Sequence, residues 1–240
     1  MIKQISDHVY VMPFDSERDR PHIGYIQGEQ FSVLVDVGNS PEHLSEVLNE
    51  IQENNLPEPT LAIITHWHWD HTFAMHAFKG KTIAHKKTND ILSQVSTWEW
   101  TKDAMMERLR TGEECQFCHH HILIEYDDIS EMKVVTADIV YDNTLSLDLG
   151  NLTVHVVPID NPHSDDGVVL FVEEEKVLFA GDADSGEYYK LDGGYDSDRF
   201  YHYVKTVDQF PYETYIHGHV GPFNREETQR FRQTIIDEEL

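Results

Sequence analysis

A chain of 240 residues with 40 % hydrophobic and 26 % charged side chains can bury one sizeable core, which excludes a disordered protein and leaves a second domain crowded. A formal charge of −26 at pH 7, with no basic run, excludes a nucleic-acid-binding footprint and reads as solubility or adaptation to a salty interior. The two cysteines, Cys115 and Cys118, make no disulfide framework, and no apolar run approaches the ~18 residues needed to span a membrane, so no membrane partner is expected.

The first residues, Met-Ile-Lys-Gln-Ile-Ser-Asp-His, lack the long apolar stretch of a signal peptide, and the expected localisation is cytoplasmic. Short strands are predicted at His8–Met12, His22–Gln27 and Phe31–Val37, with a turn at Gly28-Glu29-Gln30. The third is mostly apolar, as in a strand buried on both faces, and runs into Asp36-Val-Gly-Asn. A helix follows. Ser40 suits its N-cap and Pro41 its first position, and Leu44, Val47, Leu48 and Ile51 repeat at i, i+3, i+4, i+7. Leu61–Ile64 is a short apolar strand leading directly into His66-Trp-His-Trp-Asp-His71.

Residues 86–133 read as a helical insertion or cap, because they lack the apolar residues for a core of their own. Ile91, Val95, Trp98, Met105 and Leu109 fit one helical face, and Gly112 is a natural end to that helix. Beyond it lies Cys115-Gln-Phe-Cys-His-His-His121, readable as a separate metal site, a loop at the mouth of the main site, or a solvated turn with buried sulfurs. Strands return at Thr144–Leu149, Leu152–Val157, Val168–Val172 and Lys176–Ala180. A helix at Ser197–Gln209, a strand at Tyr212–Ile216 and a final helix capped by Asn224 complete the chain.

The chemistry concentrates in six residues. In an extended segment His66, His68 and Asp70 share one side, and His71 joins them only if the chain turns there; Thr72–Phe78 suits the helix that such a turn would start. Imidazole nitrogen and carboxylate oxygen are the usual hard-to-borderline ligands of zinc, and three histidines with an aspartate after a buried strand point to a metal site. Trp67 and Trp69 alternate with these residues and face the other way, where core packing is the expected role over lining the pocket.

His-x-His-x-Asp-His after a short strand resembles the signature of the metallo-β-lactamase superfamily. The resemblance continues along nearly the whole chain: Asp36 in Leu-Val-Asp-Val-Gly, His163 in Asn-Pro-His-Ser-Asp-Asp, Asp182 in Leu-Phe-Ala-Gly-Asp and His219 in His-Gly-His-Val-Gly-Pro. It implies an α+β fold, the αβ/βα four-layer sandwich of two mixed β-sheets flanked by helices, in a single domain over residues 1–240. It implies two divalent ions, zinc foremost, with manganese and iron also suited to mixed histidine–carboxylate sites. His66, His68 and His163 would hold one, Asp70, His71 and His219 the other, and Asp182 would bridge them. Each ion would keep an open position, as catalytic sites do. Asp36 would orient ligands from behind, and His217, two residues before His219, would support rather than ligate. A water shared by the ions would lose its proton and attack, with Asp70 holding or carrying that proton. Tyr188 and Tyr189, on the loop after Asp182, are candidate substrate contacts.

The implied function is hydrolysis of a small-molecule ester, thioester, lactone, amide or phosphoester. Histidine at position 68 argues against the oxygen-reducing diiron branch, which has glutamate there, and the length and acidity argue against the nucleases. The alternatives are a mononuclear iron enzyme of the sulfur-dioxygenase type and, with all seven ligand positions filled, less favourably a metal-free binding module.

Overall fold

The computed structural model describes residues 1–240. Thirteen strands and seven α-helices follow one another along the chain. The first sheet contains β1 (Lys3–Gln4), β2 (Val9–Met12), β3 (Ile23–Ile26), β4 (Ser32–Val35), β5 (Pro59–Ile63), β6 (Lys81–His85) and β7 (Ile139–Tyr141), in that spatial order. Its first four strands run antiparallel and β4 to β7 run parallel. The second contains β8 (Leu145–Asp148), β9 (Thr153–Pro158), β10 (Val168–Val172), β11 (Val177–Gly181), β12 (Thr214–His217) and β13 (Phe223–Asn224), antiparallel apart from β11 beside β12.

The two-residue period of a strand sorts the core into layers. In β4, Val33 and Val35 face the second sheet, while Leu34 faces the outer helices. In β10, Val168, Leu170 and Val172 face the first sheet, while Val169 and Phe171 face outward. Each strand is thus buried on both faces, which explains its unbroken apolar run. Helix α1 (Pro41–Glu53) lays Leu44, Val47 and Ile51 against the outer face of the first sheet; Ser40 caps it by accepting from His43 N at 3.1 Å. Helix α6 (Ser197–Val207) covers the second sheet with Tyr203 and Val207, and α7 (Arg225–Glu239) starts from a capping box of Asn224 and Glu227. The result is the expected α+β sandwich of two mixed sheets between helices. No helix is long and apolar enough to cross a membrane.

Gly24 of β3 shows how closely the sheets approach. A Cβ there would collide with the ring of Phe179 from β11. Gly24→Ala is therefore expected to lower stability by about 1–3 kcal/mol through overpacking, measured as a denaturant midpoint that falls at unchanged m-value; an unmoved midpoint would mean that the sheets have slack.

Residues 86–133 differ from the sequence expectation. The apolar spacing predicts one helix up to Gly112, but two form: α3 (Lys86–Val95) and α4 (Lys102–Thr111). Thr101 caps α4, and Trp98 and Trp100 close over the Arg108 guanidinium at 4.6 and 4.7 Å, which holds the break open. Gly112, left-handed at φ 78°, ends α4 as expected. The Cys115–His121 stretch does lie at the mouth of the main site, where Phe117 and Cys118 line the cavity, but it is helical rather than a loop or a solvated turn. Cys115 caps α5 (Gln116–Glu125), and the remaining residues form its first turns. Leu92, Val95, Met105, Ile122 and both cysteines join the same core as α1.

Candidate metal centre

The expected ligands, and Asp36 behind them, all lie beyond the carboxyl ends of central strands. Asp36 follows β4, His66–His71 follow β5, His163 sits between β9 and β10, Asp182 follows β11 and His219 follows β12. After β5 the chain bends at Thr65 and reaches His68, which occupies the N-cap of the short helix α2 (Trp69–Thr72). That turn delivers Asp70 and His71 to the same side as His66 and His68. Trp69 is buried on the opposite side, and its Nε1 donates to Asp19 Oδ2 at 3.2 Å. Trp67 packs on Tyr189, with ring centroids 4.8 Å apart. Both tryptophans therefore pack, as expected.

Tertiary structure brings the seven residues into two adjoining sets. His66, His68 and His163 form one; Asp70, His71, Asp182 and His219 form the other, and in each set the donor atoms lie within 4.8 Å of one another. Asp182 touches both: its Oδ2 is 3.8 Å from His163 Nε2, 3.5 Å from His71 Nε2 and 3.2 Å from His219 Nε2. Asp70 Oδ2 lies 3.0 Å from both His71 Nε2 and His219 Nε2.

The far ring nitrogens are tied, which aims the near ones. His71 Nδ1 donates to Asp36 Oδ2 at 2.7 Å, and His163 Nδ1 donates to the Gly186 carbonyl at 2.7 Å. His66 Nδ1 lies 3.1 Å from Thr65 Oγ1, which in turn donates to Asp36 Oδ2 at 2.8 Å. Asp36 thus orients one histidine of each set, one directly and one through Thr65, and it does so from a left-handed backbone at φ 63°. Such strain persists where surrounding structure over-determines it. His68 presents Nδ1 instead, 2.8 Å from His163 Nε2.

This arrangement leaves His66 Nε2, His71 Nε2 and Asp182 Oδ1 buried without hydrogen-bond partners. Buried polar atoms are normally satisfied, so three orphans pointing into one cluster mark donors shaped for cations. The electrostatics agree. Burial, with the neighbouring histidines, holds His66 and His68 well below the ordinary imidazole range, neutral as metal ligands must be. Burial also disfavours charge on His71, but Asp70, Asp36 and Asp182 outweigh it and hold that ring well above its ordinary value. An acidic centre that pulls protons onto histidine is one that positive charge would neutralise. The residues of each set are ones that could hold a metal ion.

His217 belongs to neither set. Its Nδ1 accepts from His219 N at 2.9 Å, and its Nε2 is 3.0 Å from Ser185 Oγ. Tyr188 and Tyr189 part company: Tyr188 lines the cavity over the cluster, whereas Tyr189 stacks behind His68 at 5.1 Å. That cavity, about 250 Å³, is completed by Ser16, Asp19, Phe117, Cys118 and Ser185. A larger cavity of about 740 Å³ runs along α1 and touches none of these residues.

Sequence reasoning missed Asp19 and Gly218, and placed Phe117 only within a stretch that could lie at the mouth of the site. Asp19 stands 3.7 Å from His219 Nδ1, and burial, then Asp70, pushes its carboxyl up to about 7. Phe117 closes the cavity from α5. Gly218 leaves room for Asp182, because a Cβ there would collide with Asp182 Oδ1. Of Asp19 and Gly218, only the glycine between two histidines carried a visible signal, as a possible close backbone approach. Cys115 and Cys118 join neither donor set.

The metallo-β-lactamase superfamily model matches residues 18–219. Among solved structures, the chain is similar to a metallo-β-lactamase from Pontibacter korlensis, at 16 % identity and TM-score 0.73 over 99 % of each chain. It is also similar to the DIM-1 metallo-β-lactamase, at 16 % identity and TM-score 0.66 over 97 % of this chain and 95 % of that one. A metallo-β-lactamase family protein from Thermus thermophilus follows at 14 % identity and TM-score 0.66, over 98 % and 81 %. Among curated proteins there is no match.

Proposed function

This chain belongs to the metallo-β-lactamase superfamily, and from that premise we propose that it is a hydrolase holding two divalent ions, zinc foremost, and cleaving a small-molecule ester, thioester, lactone, amide or phosphoester. The observation that carries the reading is the pair of buried donor sets meeting at Asp182 beneath one small cavity.

His66 Nε2, His68 Nδ1 and His163 Nε2 would hold one ion; Asp70, His71 and His219 would hold the other, with Asp182 between them. When bound, such ions polarise a substrate oxygen and bring the pKa of a water toward neutrality. The rest falls to the chain. Asp70 lines the cavity with Oδ2 directed at His71 and His219, leaving Oδ1 to orient the attacking water and accept its proton. Burial, then Asp19 and Asp182, pushes the Tyr188 phenol up to about 12, so it stays protonated and can donate to a substrate oxygen. Trp67 and Tyr189 pack behind His68 and keep solvent from that side.

Elemental analysis of the purified protein tests this reading. About two equivalents of zinc are expected, together with hydrolysis of members of an ester, lactone and phosphoester panel. Chelation should lower Tm and zinc should restore it, because an ion that binds only the folded state stabilises it by mass action. One equivalent of iron with oxygen consumption would transfer the assignment to the mononuclear oxygenase. Protein that takes up no metal would make it a binding module.

A further inference from the structure

Cys115 and Cys118 take no part in the chemistry above, yet Cys118 lines the same cavity and Cys115 touches Cys118. Both are free thiols, 9 % and 6 % exposed, one turn apart at the start of α5. Their sulfurs are 2.8 Å apart. Cys115 is the N-cap, and its Sγ accepts a hydrogen bond from Cys118 N at 3.2 Å. Cys118 lines the cavity beside Phe117, whose ring packs against Tyr188 at 4.9 Å.

A structural metal site needs further ligands, and neither sulfur has them. The adjacent His119 turns its Nδ1 toward Glu114, 3.7 Å away, and no donor cluster includes a cysteine. The arrangement does suit sulfur–sulfur chemistry. A thiol capping a helix N-terminus is favoured as thiolate by the backbone N–H and the helix dipole. The hydrogen bond shared with Cys118 holds the Cys115 thiol below its usual value, and the same bond, then burial, holds Cys118 well above it. One sulfur is thus poised to attack and the other to remain a thiol beside it. Closing to the ~2.05 Å of a disulfide asks less than 1 Å of movement between the sulfurs.

We propose that Cys115 and Cys118 are a redox-active dithiol, oxidised reversibly to an intramolecular disulfide by small disulfides through thiol–disulfide exchange beside the catalytic cavity, which Cys118 lines. Cys115 Sγ attacks one sulfur of the small disulfide. That S–S bond breaks, and the first thiol leaves with the proton that Cys115 gave up. Cys118 Sγ then attacks Cys115 Sγ, and the second thiol leaves with the Cys118 proton. Two protein thiols are oxidised and one small disulfide is reduced to two thiols. The new bond brackets Phe117 and fixes the turn opposite Tyr188, so oxidation alters the wall that a substrate meets.

The test uses the full-length, metal-loaded protein equilibrated in glutathione buffers of increasing disulfide content, then acid-quenched, alkylated with N-ethylmaleimide and weighed intact. Alkylated thiols are expected to fall from two to none, with no glutathione retained and full recovery in dithiothreitol. Cys118→Ser should stop at a glutathione adduct on Cys115, and Cys115→Ser should not close. Metal content, read in parallel, should not change. Two thiols still alkylated at the most oxidising ratio would overturn the proposal. So would closure seen only after denaturation, or thiols released for alkylation only by a chelator. None of these readings depends on hydrolytic activity.

Discussion

Replacing Asp182 by alanine is expected to lower bound metal from about two equivalents to one or fewer and to cut hydrolytic kcat by about 10³-fold, the scale of losing several kcal/mol of charge stabilisation. Asp182 is the one side chain that faces both donor sets: its Oδ2 stands 3.8 Å from His163 Nε2 and 3.2 Å from His219 Nε2, and its Oδ1 has no partner within the protein. Removing it leaves each set with three histidine or carboxylate donors and takes away the negative charge that the proposed function sets between two cations. Asp182→Asn keeps an oxygen of the same reach without the charge, and should fall between wild type and alanine in both metal content and kcat. The measurement is elemental analysis beside steady-state kinetics, with circular dichroism to establish that the variant is folded. A folded alanine variant retaining two ions would remove Asp182 from its bridging place.

The second large effect concerns the wall of the cavity rather than its floor. Glu125, at the end of α5, accepts from Arg20 Nη2 at 2.8 Å, and the two side chains are 0 % and 7 % exposed. Ser40, the cap of α1, also donates to Glu125. This cluster ties α5, which carries Phe117, to the segment that carries Asp19. Breaking a buried pair from one side leaves a charge that water cannot reach, at a cost of about 3–5 kcal/mol. Arg20 keeps Glu46 at 3.0 Å, a half-exposed partner, so Glu125→Ala is placed at the low end, about 3 kcal/mol. For a chain of this size that is a drop in Tm of about 6–12 °C. Arg20→Met combined with Glu125→Leu should recover most of the loss, since apolar replacement of a whole buried pair is close to neutral. Thermal melts of the wild type and the two variants check this, and an Arg20→Met/Glu125→Leu protein no more stable than Glu125→Ala would mean that the pair contributes more than mutual neutralisation.

What could be read without coordinates was whatever short-range order encodes. His66, His68, Asp70 and His71 are within six residues of one another, so the periods of strand and helix alone state which can share a side. The apolar run of β4, the cap at Ser40 and the capping box at Asn224 are equally local. The α+β sandwich followed from resemblance carried by these same segments. Where signals are weak, local reading faltered. The break between α3 and α4 has no glycine or proline to announce it, and it exists because Trp98 and Trp100 find Arg108. The strand β6 has little local signal because Lys81–His85 is short and only partly apolar, and it is completed by pairing with β5 and β7.

Tertiary structure alone decided how the site is enclosed. His68 meets His163 across 95 residues and Asp70 meets His219 across 149. Nothing in local sequence states which ring nitrogen each histidine presents. That choice is made by Asp36, Thr65 and the Gly186 carbonyl, each holding the opposite nitrogen. The cavity wall of Asp19, Phe117, Cys118 and Tyr188 gathers separate stretches of chain. Residue type and spacing determined that this protein has donors for metal, because ligand chemistry is a property of side chains. Which donors face one another, which stay bare and what closes over them are properties of packing between distant segments, and only the folded chain supplies those.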